Sequence, residues 1–223
     1  MLQEDVMTDA LRSLAAELDE LGRCDAALAQ SAAAEASDSL DGGVPEIPDF
    51  QIKSPLGRGG MGMVYLAGQL SLGRDVALKI VKRQAGEAFA GESRIIAQLH
   101  HPNIVQVYAA GNAEGRSWFA MELMKGKTAR ECNFTAVDDV AHLGVQIAEA
   151  LSYAHRCGVI HRDVKPSNIF IGEDGIAKLG DFGLANSPGY GGTRRYMAPE
   201  TIACGEAAEA CDQFALGVTL REL

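Results

Sequence analysis

Apolar residues along this chain follow two helical patterns. Near the N-terminus, leucines recur with the 3-4-3 spacing of an amphipathic seam: Leu11, Leu14, Leu18 and Leu21. A longer pattern begins after Thr135, a candidate helix cap, and continues to an expected stop at Gly158. Its apolar residues share one face: Val140, Leu143, Ile147, Leu151 and Ala154. These patterns predict a short N-terminal helix and a long buried helix in the second half. A third, shorter helix is predicted over residues 87–99.

Short apolar runs with strand character lie between these helices. They occupy residues 63–66, 76–79, 104–108, 118–121, 169–171 and 176–179. Glu173-Asp174-Gly175 separates the last two runs, and a glycine can supply the positive φ of a tight reversal. We therefore predict a hairpin over residues 169–179 and further strands at the earlier runs.

The acidic charge of the chain is concentrated in its first fifty residues. They contain twelve Asp or Glu and two Arg, which accounts for the whole formal net charge of −10. An acidic chain without a basic stripe argues against nucleic acid as the main partner. Residues 31–48 are small, acidic and interrupted by Gly and Pro, as in a linker. The region 1–48 is thus an extension and linker, in which residues 7–28 are either a helix for docking or self-association or a lone, partly disordered segment.

The cysteines and the length of the apolar runs bear on location. The five cysteines are odd in number and never spaced CxxC, so we interpret them as reduced thiols. No apolar run reaches the ~18–20 residues that a membrane span needs. The N-terminus is acidic, unlike that of a signal peptide. These features predict a cytoplasmic protein with no membrane span in this chain.

Residues 161–181, HRDVKPSNIFIGEDGIAKLGD, carry three polar groups at fixed intervals. Asn168 follows Asp163 by five residues, and Asp181 follows it by eighteen. Because the predicted hairpin folds back, all three side chains are expected at the same rim. Two carboxylates and an amide oxygen suit Mg²⁺, a hard cation that shares oxygen ligands with substrate phosphates. The segment therefore predicts a magnesium site beside a phosphate-bearing substrate.

A glycine-rich stretch, LGRGGMGMVY, begins at Leu56. Glycines let backbone amides approach phosphates with no Cβ in the way. Lys79, twenty-two residues after Gly57, ends an apolar strand and suits a cation held against phosphates. A dinucleotide-binding fingerprint would instead need a helix straight after the glycines and an acidic residue ~20 positions further on. Here a strand follows, and the later residue is a lysine.

These motifs together resemble those of eukaryotic-type (Hanks-type) Ser/Thr protein kinases of bacterial character. HRDVKPSN resembles the catalytic loop, Asp181-Phe182-Gly183 the metal loop, and Ala198-Pro199-Glu200 the end of the peptide-docking loop. The resemblance covers about residues 50–223. It implies an α+β, two-lobed fold with a small β-rich N-lobe over residues 49–124 and a helical C-lobe over residues 125–223. The C-lobe is expected to be incomplete, because the family normally continues through three further helices.

The resemblance implies a catalytic set. Asp163 would accept the proton of the substrate hydroxyl, and Lys165 would meet the γ-phosphate of ATP. Thr193 would touch both of these residues, which favours a Ser/Thr acceptor. Lys79 would hold the α/β-phosphates in an ion pair with Glu92.

The resemblance also implies a site for Mg²⁺ and ATP. Asn168 and Asp181 would hold the metal. The glycine loop would cover the phosphates through Gly57, Gly59, Gly60 and Gly62. The hinge would bind adenine through Met121, Glu122 and Met124. The adenine ring would lie between apolar side chains from both lobes: Val64, Ala77 and Phe170.

The predicted function is a Ser/Thr protein kinase that transfers the ATP γ-phosphate to protein Ser/Thr hydroxyls. The alternative is an inert kinase fragment or a pseudokinase-like scaffold that acts through the N-terminal helix. The resemblance further implies that Asp212 on a buried helix anchors the catalytic loop, and that the Glu200 carboxylate is buried. It also predicts an uncovered apolar face on the last helix: Phe214, Leu216, Val218 and Leu220.

Overall fold

The short apolar runs of the first half pair into a five-stranded antiparallel sheet. The computed structural model describes residues 44–59, 62–81, 95–182, 193–204 and 208–223. Its first five strands are β1 (Phe50–Gly59), β2 (Gly62–Gln69), β3 (Arg74–Val81), β4 (Val107–Ala113) and β5 (Arg116–Met121). Their order in the sheet is β1-β2-β3-β5-β4. The strands predicted at residues 63–66, 76–79 and 118–121 are confirmed.

The central strand, β3, is buried on both faces and sets the register of the sheet. Residues Val76 to Val81 are all buried, and Leu78 and Ile80 have no exposed surface. Lys79 lies opposite Val64 of β2, and Ala77 lies opposite Met121 of β5. The N-lobe core therefore carries the lysine and two of the predicted adenine-site residues on one rigid strand pair.

The fourth strand begins later than the sequence predicts. The run from Ile104 to Tyr108 was expected to form a strand, but β4 starts at Val107. Ile104 instead forms an isolated parallel bridge with Leu179, and the Val105 amide donates to the Leu179 carbonyl at 2.9 Å. The backbone of this segment pairs with the C-lobe, so it is not available to the N-lobe sheet.

Helix α1 (Val137–Arg156) carries the chain towards the predicted catalytic loop. Its buried face includes Leu143, Ile147, Leu151 and Ala154, as the periodicity predicts. The Gly158 amide donates to His155 O at 2.8 Å and the Val159 amide to Ala154 O at 2.9 Å, with Gly158 at φ 75°. This pair of bonds is a Schellman cap, which needs the left-handed backbone that glycine adopts easily.

The N-terminus of α1 differs from the sequence prediction. The cap residue is Ala136, not Thr135, and no side chain caps the helix. Asp138 and Asp139 lie in the first turn, where negative charge complements the helix dipole. These two acids stabilise the helix start in place of a capping hydroxyl.

A second, three-stranded sheet positions the candidate metal ligands. Its strands are β6 (Gly126–Thr128), β7 (Ile169–Gly172) and β8 (Ala177–Leu179), in that order. Strands β7 and β8 form the predicted hairpin, whose turn contains Gly175 at φ 78°. A short 3₁₀ helix, Pro166–Asn168, precedes β7. The hairpin returns the chain so that Asp181 follows β8 on the side from which β7 departs.

Two further helices complete the described fold: α2 (Pro199–Cys204) and α3 (Glu209–Glu222). The larger core lies between α1, α3 and the β7–β8 hairpin. Leu216, Val218 and Leu220 pack against this core, so the prediction of an uncovered apolar face is wrong for them, whereas Phe214 is 42 % exposed. Glu200 is also exposed, not buried, because it lies in the first turn of α2 on its solvent side.

Several sequence predictions concern residues outside the described ranges. The N-terminal helix, including residues 7–28, lies outside them. So do Gly60, Glu92 and most of the predicted helix at residues 87–99. Among the described residues, no helix is long and apolar enough to cross a membrane.

Candidate active site

The loop that carries Asp163 is fixed by a buried histidine. His161 has no exposed surface, and its Nδ1 accepts a hydrogen bond from the Asp163 amide at 3.2 Å. Because Nδ1 accepts, Nε2 carries the proton and donates to the Gly180 carbonyl at 2.8 Å. The imidazole also meets the Phe182 ring edge-on at 4.5 Å between centroids. His161 thus ties the loop to the residues on either side of Asp181.

Asp212 on α3 holds the same loop from the opposite side. Its fully buried carboxylate accepts hydrogen bonds from the amides of His161 at 2.8 Å and Arg162 at 2.7 Å. A third bond comes from His155 Nε2 at 2.8 Å. Arg162 has φ 71°, a backbone conformation that a non-glycine residue adopts only when its surroundings hold it there. The Asp212 carboxylate therefore stabilises a strained backbone directly before Asp163.

The Asp163 carboxylate lies at the centre of a polar cluster. Its Oδ1 accepts from the Thr193 amide at 3.0 Å and from Thr193 Oγ1 at 2.9 Å. Its Oδ2 accepts from Lys165 Nζ at 2.7 Å and from Asn168 Nδ2 at 3.2 Å. Lys165 Nζ also donates to Thr193 Oγ1 at 2.7 Å, which closes a triangle. The structure thus brings together Asp163, Lys165 and Asn168, which the sequence predicted as site residues, and Thr193 contacts Asp163 and Lys165 as the family resemblance implied.

This environment keeps Asp163 ionised. Burial alone raises the pKa of a carboxyl, but the hydrogen bond and charge of Lys165 and the bond from Thr193 outweigh it, so the pKa of Asp163 lies below the usual 3.8. At neutral pH the group is a buried, oriented carboxylate. It can accept hydrogen bonds and a proton but cannot donate one.

The predicted metal ligands have oxygen atoms to offer. The side-chain nitrogen of Asn168 donates to the backbone carbonyl of Asp163 at 2.8 Å, so the side-chain oxygen of Asn168, Oδ1, points away from that carbonyl. That buried oxygen accepts no hydrogen bond from the residues described here, so a cation would satisfy it. Asp181 follows β8 with φ 63° and lines a cavity together with Phe182 and Met121. An amide oxygen and a carboxylate fit Mg²⁺, which takes few protein ligands and completes its shell with phosphate and water oxygens.

Lys79 approaches the same carboxylate from the N-lobe. Its Nζ lies 2.8 Å from Asp181 Oδ1, and the side chains are 6 % and 33 % exposed. A buried ammonium needs such a partner, because an unpaired charge in the interior is costly. The expected partner, Glu92, lies outside the described residues, so that ion pair stays a prediction. The lysine and the candidate metal ligand are therefore adjacent, where phosphate oxygens could contact both.

The glycine loop meets a close backbone approach at one end. A Cβ on Gly62 would lie 2.0 Å from the Ile80 carbonyl oxygen, so no other residue fits there. Gly59, the last residue of β1, pairs with Gly62 in the β1–β2 register. The space around Gly57 is open in the part of the chain that the structure describes, since none of its atoms lies within 4 Å of where a Cβ on Gly57 would be. The β1–β2 hairpin thus leaves room beside Gly57, and its strand β2 pairs with β3, which carries Lys79.

The predicted hinge is tethered to both lobes. The Glu122 amide donates to Gln106 O at 2.8 Å, and its carboxylate accepts from Lys178 Nζ at 2.6 Å. The Glu122 carbonyl and the Met124 amide make no hydrogen bond to another described residue, which leaves both available to a ligand. The Lys178 contact was not predicted, because the two residues lie fifty-six positions apart and the hinge resemblance concerns the backbone of Glu122, not its side chain.

The other predicted adenine contacts lie on β2, β3 and β7. Val64 is half-buried on β2 and Ala77 is buried on β3. Phe170 is half-buried on β7, and its ring lies so close to Gly180 that a Cβ there would come within 2.7 Å of it. An aromatic ring therefore lies directly against the residue before Asp181.

Comparison with known proteins places this geometry in one family. The sequence model described as the protein kinase domain matches residues 50–223. Serine/threonine-protein kinase PknJ of Mycobacterium tuberculosis (strain ATCC 25618 / H37Rv) is 37 % identical over an alignment of 197 residues that covers 78 % of this chain and 33 % of PknJ. Serine/threonine-protein kinase PrkC of Bacillus subtilis (strain 168) is 34 % identical over 194 residues, 78 % of this chain and 30 % of PrkC. This chain thus spans about a third of the length of these curated relatives.

A solved structure gives the same result for the fold. The crystal structure of the Mycobacterium tuberculosis PknI kinase domain superposes with a TM-score of 0.68 at 31 % identity. The match covers 80 % of this chain and 75 % of that chain. The α+β fold with a β-rich N-lobe and a helical C-lobe is therefore confirmed.

Proposed function

Because this chain belongs to the protein kinase family and is of its bacterial-like Hanks type, we propose that it transfers the γ-phosphate of ATP to Ser or Thr hydroxyls of proteins. The observation that carries the proposal is the buried Asp163 carboxylate, held by Lys165, Asn168 and Thr193. Phosphoryl transfer asks the protein mainly for positioning and electrostatic stabilisation. A fixed carboxylate beside a lysine supplies both.

Asp163 orients the acceptor hydroxyl and takes its proton. A carboxylate has about four acceptor positions, and the bonds from Thr193, Lys165 and Asn168 fill four. A substrate hydroxyl must therefore replace one donor. The Lys165 ammonium, on a flexible side chain that is 18 % exposed, is the donor able to swing away towards a phosphate. Arrival of the substrates would then free a lone pair on Asp163 for the hydroxyl.

Asn168 and Asp181 would hold Mg²⁺, and the metal, when bound, neutralises charge on the phosphates. Lys79 supports this role because its ammonium lies 2.8 Å from Asp181, on the strand that pairs with β2 beside the glycine loop. Within the described ranges, no cluster of three or more His, Cys, Asp or Glu could hold a metal alone. A metal at this place would therefore take some of its oxygen ligands from the phosphates of the nucleotide.

The hinge supports binding of the adenine base. A carbonyl at Glu122 and an amide at Met124 present an acceptor and a donor, and Ala77, Val64 and Phe170 supply apolar surface. Because Lys178 and Gln106 fix Glu122, the hinge backbone is held in place before a ligand arrives. Preorganisation of this kind lowers the entropic cost of binding.

Consumption of ATP supports a cytoplasmic location for this domain. The free thiols at Cys132, Cys157 and Cys211 support it as well, since reduced cysteines are typical of that compartment. Self-association through residues 7–28 remains a prediction from the leucine spacing.

The test is phosphate transfer from γ-labelled ATP to a mixed protein substrate, with acid hydrolysis to identify the phosphorylated residue. We expect label on serine or threonine, dependence on Mg²⁺, and loss of transfer in Lys79→Met at unchanged folding. The inert-scaffold alternative predicts no transfer by the wild-type chain at any Mg²⁺ concentration. Label on Tyr alone, or full turnover in Lys79→Met, would contradict the assignment.

A further inference from the structure

Two arginines follow Thr193 directly, beside the catalytic aspartate. Arg194 and Arg195 begin a 3₁₀ helix that ends at Tyr196, and both are exposed. A 3₁₀ helix has three residues per turn, so its successive side chains point in directions about 120° apart. Tyr196 points into the core with 8 % exposure. The two arginines must therefore point outwards, on the loop whose first residue bonds to Asp163.

Internal contacts hold this loop in place. The Tyr196 hydroxyl donates to Glu222 Oε2 at 2.6 Å. Arg195 lies 3.5 Å from Glu222 Oε1 and 5.9 Å from the centre of the Tyr196 ring. Both Glu222 oxygens are thus engaged inside the protein. The Glu222 carboxylate is therefore occupied by Tyr196 and Arg195, while the Arg195 side chain stays 67 % exposed.

Arg194 has no hydrogen bond or ion pair with any residue of the described ranges. Two further arginines are exposed. Arg162 directly precedes Asp163, and the charge of Arg130 acts on the Tyr196 hydroxyl, whose pKa burial and Glu222 nevertheless raise to about 12. Glu200, four residues after Tyr196 on α2, is an exposed acid. Two exposed positive charges, Arg194 and Arg195, therefore directly follow the residue that bonds to Asp163, although the whole chain carries −10.

We propose that Arg194 and Arg195 select protein substrates that carry acidic side chains next to the phosphorylated Ser or Thr. This inference rests on the proposed kinase function and adds a substrate class to it. Complementary charge favours the right partner, and a like charge beside it rejects the wrong one. A substrate with Lys or Arg in this place would be repelled, and one with Asp or Glu would meet the guanidinium of Arg194, which pairs with none of the described residues.

The experiment uses the full chain and three peptides that differ only in the residues flanking one Ser: Asp, Ala or Lys. The readout is the ratio of kcat/KM values between peptides, which cancels any general loss of activity. An exposed ion pair changes binding by about threefold, so two arginines should favour the Asp peptide over the Ala peptide by about tenfold. Arg194→Ala should lower this ratio about threefold, and Arg194→Glu should shift the preference towards the Lys peptide.

Lys53→Glu is the matched control, since it makes the same change in net charge on β1, where Lys53 pairs with Asp75. We expect the control to keep the Asp preference. Fluorescence anisotropy with a labelled Asp peptide gives a second readout that does not need catalysis, and Arg194→Glu should weaken that binding while Lys53→Glu does not. Melting temperatures show whether each variant folds.

The outcomes separate this inference from the proposed function. Transfer to all three peptides at equal kcat/KM, or an equal effect of Lys53→Glu and Arg194→Glu, overturns the substrate class but leaves the kinase assignment standing. No transfer to any peptide, together with Arg194-dependent binding of the Asp peptide, overturns the kinase assignment and supports the acidic ligand. If Arg194→Glu binds the labelled Asp peptide as tightly as the wild type does, the inference is overturned whether or not phosphate is transferred.

Discussion

Asp212→Asn tests how the fold holds the catalytic loop. The substitution keeps the size of a fully buried side chain but replaces one carboxylate oxygen by an NH₂ group. Oδ1 accepts from the Arg162 amide, and Oδ2 accepts from the His161 amide and from His155 Nε2. Whichever way the new amide turns, its NH₂ faces at least one N–H donor. One hydrogen bond must therefore break, and a buried donor is left without an acceptor.

The magnitude follows from these three bonds. A hydrogen bond to a charged acceptor contributes about 1.5–3 kcal/mol, and a buried unsatisfied donor costs about 1–3 kcal/mol. Losing the Arg162 bond while keeping the other two then costs roughly 3–5 kcal/mol, against a total of about 5–15 kcal/mol for a typical domain. Arg162 is also free to leave its φ of 71°, which displaces the Asp163 backbone next to it.

We expect Asp212→Asn to lower the free energy of unfolding by about 3–5 kcal/mol. We also expect kcat to fall by at least about tenfold, a rise of ~1.4 kcal/mol in the barrier. Affinity for nucleotide should change less, because Lys79 and the hinge do not contact Asp212. Urea denaturation, steady-state kinetics and nucleotide titration measure the three quantities. Glu209→Gln is the control, since it neutralises an exposed acid in the first turn of the same helix.

We expect Glu209→Gln to keep its kcat and a free energy of unfolding within about 1 kcal/mol of the wild type. The same result for Asp212→Asn would contradict the role of its carboxylate. That result would mean that the loop holds its conformation without the carboxylate. A loss of stability with unchanged kcat would confirm the hydrogen-bond energies but contradict the link between Arg162 and the position of Asp163.

Three further substitutions test other parts of the site. Asp181→Asn should weaken nucleotide binding more with Mg²⁺ than without it, because a charged oxygen ligand is lost; equal weakening in both titrations would remove the metal role. Lys165→Ala should move the acid limb of the kcat/KM profile to higher pH, because the group that most lowers the pKa of Asp163 is gone. Lys165→Arg should leave that limb in place. If the limb does not move in either variant, Asp163 does not govern it. Lys178→Met should cost up to about 1 kcal/mol of stability and weaken nucleotide binding, because Glu122 loses its ion pair. Unchanged nucleotide binding would mean that the Lys178–Glu122 pair does not position the hinge.

The elements that the sequence predicted correctly depend on local chemistry. Gly175 and Gly158 need left-handed backbone. Gly175 lies in the turn between β7 and β8, and Gly158 follows the end of α1, where the pattern placed them. The hairpin between Asn168 and Asp181 follows from its turn residues alone. The family motifs then supplied the roles of Asp163 and Lys79, which no periodicity could have indicated.

The errors and omissions come from contacts between distant segments. Ile104 has strand propensity, but its backbone pairs with Leu179, so β4 begins later. Glu200 was expected to be buried by analogy, and it faces solvent in this chain. The anchoring of the catalytic loop by Asp212, fifty positions from Arg162, was implied by the family resemblance, but the left-handed backbone at Arg162 was not predicted. The Lys178–Glu122 ion pair, which spans fifty-six positions, was not predicted either. Such long-range contacts leave no periodic signal in the sequence.

The role of Asp163 as the group that accepts the hydroxyl proton is tested by comparing Asp163→Asn with the wild-type chain for transfer from Mg²⁺-ATP to a Ser-containing protein. The variant keeps the shape of the side chain and can keep the bond from Thr193, but it cannot accept a proton from the substrate hydroxyl. We expect the rate to fall by about a thousandfold, which is about 4 kcal/mol of transition-state stabilisation, with nucleotide affinity within about threefold of the wild type. Transfer by Asp163→Asn at the wild-type rate would contradict the account.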